Sequence, residues 1–418
     1  MPAVDLFSPL ILPNGQTLKN RLVKAAMEES LAQDGQLPGQ GMHRLYRTWA
    51  EGGVGLQITG NVMVAADAMT TPGGVVLQAG TPLAPFKAWA DAAHSQGARV
   101  WMQISHPGRQ VMAALGNPGW APSEVPLKLG QHSKLFAQPK ALDVAQIQVI
   151  VQQFAQTAAQ AEAAGFDGVQ IHAAHGYLIS QFLSPLANQR SDAYGGAIEN
   201  RARLLLEVVR AVRAAVRPGF AVGVKLNSAD FQRGGFSEAD AQAVVGLLNA
   251  ESIDLLELSG GSYESPAMQG RTADGRTLAR EAYFLEFAKD LAAVAQMPVM
   301  TTGGVRRREV AQQVVDSGIA AVGLATALAM DPQLPARWAR GDLTVPPLPI
   351  VPWRNKALVS LTTMAMVRRQ MHRLAAGWRP KARLSPWFTL VCDRWQGKRQ
   401  AQRYRGWRAT DAAEAPRL

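Results

Sequence analysis

The stretch FDGVQIHAAHGYLISQFLSP, residues 166 to 185, places His172, His175 and Tyr177 directly after a short apolar run. Two imidazoles three residues apart, with a phenol beside them, can hold an oxygen that gains negative charge and deliver a proton nearby. Two histidines at that spacing can also ligate a metal, but no third acidic or histidine ligand stands close by in the sequence, so no metal is expected. The plainer alternative is a pair of core histidines with satisfied ring nitrogens. Three more features carry potential chemistry. Lys225 ends the apolar run FAVGVKL, Gly303-Gly304 ends PVMTTGG before a helical segment, and Ala325-Thr326 ends AAVGLAT. Small residues at a strand end followed by a helix let backbone N–H groups approach an anion, which reads as a phosphate cradle.

These groups need elements to position them. VGLQITG (54–60), RVWMQI (99–104), FDGVQIH (166–172), FAVGVKL (220–226), IDLLEL (253–258), PVMTTGG (298–304) and AAVGLAT (320–326) read as strands, and NRLVKAAM (20–27) supplies an eighth. Helical patterns lie between them. In segment 143–164, Ile147, Ile150, Val151, Phe154, Ala158 and Ala161 share one face, with Asp143 as its N-cap and Gly165 past its end. Eight strands, each followed by a helix, predict an α/β fold of the (β/α)8 TIM-barrel type. An open doubly wound sheet is the alternative, but it would place a glycine-rich turn after the first strand, and none is there. In a barrel the chemistry sits at the C-terminal strand ends. The candidate site therefore draws on Ala25 to Glu28, Gly60-Asn61, Gln103 to His106, His172 to Tyr177, Lys225 to Asn227, Ser259 to Ser262, Gly303-Gly304 and Ala325-Thr326. The 105–142 loop is long enough to suggest a functional lid.

Composition narrows the classes. Of 418 residues, 47% are hydrophobic and 18% charged, which reads as globular. Cys392 is the sole cysteine, so a disulfide framework, a cysteine-ligated zinc and an iron–sulfur cluster built from this chain are excluded. The opening MPAVDLFSPLILPNG lacks the basic start and apolar run of a secretory signal, and a cytoplasmic location is expected. The net charge of +11 is uneven. Residues 351–418 hold 15 Lys or Arg against 3 Asp or Glu, whereas residues 1–350 hold 28 against 29. A near-neutral body gives no electrostatic support for nucleic-acid binding.

The segment HAAHGYLISQFLSPLANQRSDAYGGAIENRARL (172–204) closely resembles the signature of the Old Yellow Enzyme family of FMN-dependent oxidoreductases. LFSPLILPNGQTLKNR, WMQISHPGRQ and TTGGVRRREVAQQV resemble other parts of that family, and the likeness runs from about Leu6 to Pro332. The resemblance implies a barrel carrying FMN, reduced by NADH or NADPH and reoxidised by an activated alkene. It implies that His172 and His175 hold the substrate oxygen and that Tyr177 is the acid that protonates the α carbon. It places Ala25, Met27 and Glu28 beside the flavin, Gln103 on its pyrimidine edge, and Lys225 where the family usually has an arginine. Gly303, Gly304, Ala325 and Thr326 match the phosphate loops.

Three departures accompany the likeness. Glu28 stands where the family commonly has Thr or Cys. The second phosphate loop ends Ala325-Thr326 instead of Gly-Arg, so Arg306, Arg307 or Arg308 would have to supply the missing cation. The tail also exceeds a minimal barrel, which suggests an FMN-binding barrel over 1–345 and a basic, tryptophan-rich helical extension over 346–418. Helices packed on the barrel are the expected use of that tail; peripheral contact with an anionic membrane and contact with a neighbouring subunit in a homo-oligomer are the alternatives. Two other functions remain to be separated from an ene-reductase. One is a non-redox, phosphate-binding lyase or isomerase, and the other is a non-catalytic flavin- or membrane-binding protein.

Overall fold

The computed structural model describes residues 4–265, 281, 282 and 284–414. Eight parallel strands close on themselves in chain order: β1 (Leu22–Lys24), β2 (Leu56–Ile58), β3 (Arg99–Ser105), β4 (Gly168–Ala173), β5 (Ala221–Asn227), β6 (Leu255–Ser259), β7 (Val299–Thr302) and β8 (Ala321–Leu324). The pairing of Val322 with Leu22 completes the barrel. Every strand predicted from the sequence forms, some trimmed at their ends and four, those ending at Ser105, Ala173, Asn227 and Ser259, running one residue further.

The period-two alternation of strand side chains decides what fills the lumen. Val23, Leu56, Ile58, Trp101, Ala221, Leu255, Met300 and Ala321 pack together inside it. The Trp101 ring takes so much of this space that a Cβ on Gly168 or Gly223 would lie 2.9 or 2.8 Å from it. The antiparallel ribbon of Leu10–Ile11 and Thr17–Leu18 adds Leu10, Leu12 and Leu18 to the same cluster, and Trp101 donates to Gln16 Oε1 at 3.0 Å. The lumen is therefore plugged at its N-terminal end. The same alternation points Gln103, Gln170, His172, Lys225, Glu257 and Ser259 inward further along the strands.

Around the barrel run α1 (Gln40–Glu51), α2 (Ala84–Ala93), α3 (Val144–Ala163), α4 (Arg203–Ala215), α5 (Glu238–Leu248), α6 (Leu285–Ala292), α7 (Arg308–Asp316) and α8 (Leu334–Ala339). The start of α3 is fixed by a capping box in which Asp143 accepts from Gln146 N at 2.8 Å. Ser237 caps α5 in the same manner. The 105–142 loop carries a short parallel ladder between Gly119–Ala121 and Pro139–Ala141.

The extension forms α9 (Lys356–Ala375) and α10 (Pro386–Glu414). Both are tied to the loops that follow the barrel strands, and α9 also to α1. His372 Nε2 donates to the Glu29 carbonyl at 2.7 Å, and Arg44 donates to the Ala375 carbonyl at 3.0 Å. Tyr404 is fully buried among Met63, Ala66, Met69 and Leu115, accepts from Asn117 at 2.6 Å and donates to the Ala66 carbonyl at 2.5 Å. The expected packing on the barrel thus holds for α9 and for the C-terminal half of α10. It does not hold for Trp378, Trp387 and Trp395, each more than 60% exposed.

Candidate active site

A cavity of about 500 Å³ opens at the C-terminal end of the barrel. Its barrel wall includes Met27, Glu28, Gln103, His172, His175, Tyr177, Lys225, Ala325 and Thr326, so the structure brings most of the predicted site together. Ala25 lies behind this wall, buried, with its N–H on the Leu324 carbonyl. Gly303 and Gly304 lie outside the cavity lining, at the end of β7, where Thr302 pairs with Gly323 of β8.

The two histidines are held by different means. Buried His172 is the second-last residue of β4, where alternation turns it inward, and its Nδ1 accepts from Ala174 N at 3.3 Å. That leaves the ring proton on Nε2. His175 adopts φ of 60°, a left-handed conformation that a non-glycine residue takes only when its surroundings fix it. Those surroundings are hydrogen bonds from His175 N to Asn227 Oδ1, from Gln110 Nε2 to the His175 carbonyl, and between His175 Nε2 and Ser259 Oγ at 2.7 Å. Burial, then the Lys225 ammonium, pushes both imidazoles well below their ordinary range. Both are neutral at pH 7.

Tyr177 packs edge-on against His172, with ring centroids 4.8 Å apart. Its hydroxyl donates to Glu28 Oε1 at 3.1 Å and lies 3.2 Å from the Tyr263 hydroxyl. Burial first, then the Glu28 charge, raises the Tyr177 phenol well above its usual value. Tyr263 is raised by the same causes. Glu28 also accepts from Asn61 Nδ2 at 3.1 Å and Thr71 Oγ1 at 3.3 Å. Sequence reasoning missed Tyr263, which stands one residue beyond the strand end assigned to Ser259–Ser262, and Thr71, which no local pattern marks.

A second buried chain crosses the lumen beneath them. Gln103 Nε2 donates to Gln170 Oε1 at 2.6 Å, and Gln170 Nε2 donates to Glu257 Oε2 at 2.7 Å. Lys225 pairs with Glu257 Oε1 at 2.9 Å. Lys225 therefore lines the cavity as half of an ion pair and not as a lone cation. The pairing of its charge inside the barrel follows from the cost of burying an unpaired ion.

The phosphate expectation can be tested on the strand ends. Gly303 and Gly304 have φ of 141° and 75°, backbone that residues with a Cβ rarely adopt. Among the described residues, no acceptor pairs with the backbone N–H of Gly303, Gly304 or Ala325. This is a donor set suited to one phosphate. The neighbouring arginines do not supply the missing cation. Arg306 and Arg307 pair with Glu281 at 3.2 and 2.8 Å, and Arg308 lies over the Phe7 ring. The residues present fit FMN through backbone donors and the Gln103–Lys225 wall. Among the described residues there is no cluster of metal-ligating groups.

The roof of the cavity comes from the extension. Val359, Thr363, Met364, Val367 and Met371 of α9 face it, together with Arg368. Arg368 donates to Asp393 of α10 at 2.5 Å, and its Nε is buried with no partner among the described residues.

A family model described as NADH:flavin oxidoreductase / NADH oxidase matches residues 5–343. The chain belongs to this family. It is 38% identical over 351 residues to the NADH-dependent flavin oxidoreductase iliE of Hypocrea jecorina (strain QM6a), covering 78% of this chain and 87% of that protein. It is 39% identical over 352 residues to the iliE protein of Neonectria sp. (strain DH2), but spans only 46% of that longer relative. Among solved structures, the Old Yellow Enzyme homologue from Zymomonas mobilis superposes with a TM-score of 0.70 at 26% identity, over 82% of this chain and 94% of that one. The protein is thus a flavin oxidoreductase of Old Yellow Enzyme type, with FMN as cofactor and NAD(P)H as hydride donor. The family match ends before Lys356, so α9, which roofs the cavity, lies outside the matched residues.

Proposed function

We propose that the protein reduces electron-poor alkenes, such as enones, nitroalkenes or quinone-like acceptors, with His172 and His175 holding the acceptor oxygen and Tyr177 supplying the proton. The observation that carries this reading is the convergence of the three side chains on one cavity wall. The His172 ring centroid lies 5.0 Å from that of His175 and 4.8 Å from that of Tyr177. The chemistry FMN supplies when bound is the relay of a hydride from NAD(P)H to the β carbon of the acceptor. Gln103 and Lys225 would hold its polar ring edge, with Met27 beside the ring and Ala25 backing it from behind the wall. Gly303, Gly304, Ala325 and Thr326 would hold its phosphate. In this reading residues 1–345 are the FMN-binding barrel and 346–418 the extension that closes over it.

The protein's own residues do the rest. Neutral His172 offers Nε2–H to the acceptor oxygen, and a neutral donor polarises the carbonyl without a counter-ion. Ser259, by donating to His175 Nε2, would leave Nδ1–H of that ring as the second donor. Tyr177 keeps its proton because the site disfavours phenolate, so it is a full acid at neutral pH. It passes that proton to the α carbon, and Tyr263 is within reach to return one. The roof of α9 keeps water from the apolar part of the acceptor.

The test is isotopic. NADH deuterated at its transferable position is mixed with the holoenzyme and 2-cyclohexenone, and the product is analysed by NMR. The expected result is the saturated ketone with deuterium on the β carbon. Flavin turnover with oxygen alone, with no saturated product from enones, nitroalkenes or quinones, would refute the proposal.

A further inference from the structure

The N-terminal half of α10 carries apolar side chains that the fold leaves in water. Trp387, Val391 and Trp395 stand at i, i+4 and i+8, and Phe388 flanks them. Each is between 54% and 68% exposed. Isolated exposed apolar residues are ordinary, but aromatics contiguous on one face mark a contact surface. The same helical face continues with exposed Arg394, Lys398, Arg399 and Arg405. Asp393, the single acidic residue from Pro386 to Arg405, is turned inward to Arg368. Cations also lie on the aromatic rings themselves: Arg399 is 4.7 Å from the Trp395 ring centre and Arg369 is 4.8 Å from that of Phe388.

We propose that this face of α10 docks the protein on an anionic lipid surface, its tryptophans seated at the headgroup level and its arginines and lysine on the lipid phosphates. Tryptophan prefers that boundary, having an apolar body and one polar N–H, and basic residues beside it are drawn to anionic lipid. Charge selects this occupant over a second copy of the chain. A two-fold contact through this face would set two arginine-rich surfaces against each other with no carboxylate between them, whereas anionic headgroups supply the opposite charge. The attachment is peripheral, since no helix among the described residues is long and apolar enough to cross a membrane.

The full-length holoenzyme is sedimented with phosphatidylcholine vesicles and with mixed phosphatidylcholine–phosphatidylglycerol vesicles, at low and high salt. Binding to the mixed vesicles alone is expected, weakened by salt and accompanied by a blue shift of tryptophan emission. The double variant Trp387→Ala/Trp395→Ala and the triple variant Arg394→Gln/Lys398→Gln/Arg405→Gln should each lose vesicle affinity by at least about tenfold while keeping flavin content and melting temperature. No binding to mixed vesicles at low salt would overturn the proposal, as would binding that both variants retain. A dimer of the wild type that the Trp387→Ala/Trp395→Ala variant dissolves, without vesicle binding, would assign the face to a second copy instead.

Discussion

The Tyr177 phenol donates to Glu28 Oε1 at 3.1 Å, so the acid of the proposed reaction hydrogen-bonds a carboxylate from a different strand end. The Glu28 charge is one cause of the raised Tyr177 value. Glu28→Gln removes that charge and keeps the hydrogen-bond acceptor. The alkaline limb of acceptor reduction, which reports loss of the acid, should then move to lower pH than in the wild type. An unmoved limb would mean that the acid in question does not feel Glu28.

Arg368 brings a cation from α9 to the cavity roof, with Nε unpartnered among the described residues. Acceptors carrying a carboxylate should benefit from it and neutral ones should not. Arg368→Gln is expected to raise KM for a carboxylated enone about tenfold, roughly 1.4 kcal/mol, and to leave that for a neutral enone within about twofold. Equal changes for both would reduce Arg368 to a structural partner of Asp393.

The Lys225–Glu257 pair is 5% and 0% exposed at its side chains. Lys225→Met leaves Glu257 charged and uncompensated inside the barrel. Unfolding in denaturant should show a loss on the order of 3–5 kcal/mol, with much of it restored by Lys225→Arg. A loss under about 1 kcal/mol would mean the lumen is wetter than the packing indicates.

Buried, neutral histidines give the fold an acid limit. His172 and His175 are held well below 6.5, and burial lowers His106 to about 4. In the unfolded chain all three take up protons as pH falls through about 6.5, while the folded protein resists. The unfolded state then binds more protons, so stability is full above about pH 6.5 and declines as pH drops toward 4. Melting temperature should fall steadily from pH 7 to pH 5, and His106→Asn should flatten part of that slope. A melting temperature constant over this range would contradict the assignment of neutral rings.

Much of this architecture was legible because it rests on local rules. Short apolar runs bounded by turn residues marked the strands, and Asp143 announced its helix as an N-cap. Turning strand ends into a site list recovered His172, His175, Tyr177, Gln103 and Lys225, since a barrel gathers those ends at one mouth. The Glu257 partner of Lys225 was not read, although an inward lysine in a closed barrel requires a carboxylate. Tyr263 was missed because it lies past its strand, where no periodicity operates. The α9 roof was missed for a different reason. The sequence of α9 displays a face to bury, but which surface receives it is a tertiary choice, and this one covers the active site instead of the barrel flank. Glu28 stood out by its type alone; its ties to Tyr177, Asn61 and Thr71 needed the fold.

The two half-reactions, measured apart, test the proton role of Tyr177 most directly. The holoenzyme is reduced anaerobically with NADH in a stopped-flow instrument, then mixed with 2-cyclohexenone while flavin absorbance is followed. Wild-type protein should complete both steps. Tyr177→Phe should keep its rate of reduction by NADH within about threefold and lose on the order of 10² to 10⁴-fold in reoxidation by the enone, the span that general acid catalysis supplies. Equal slowing of both steps, or a reduced wild-type flavin that no activated alkene reoxidises, would contradict it.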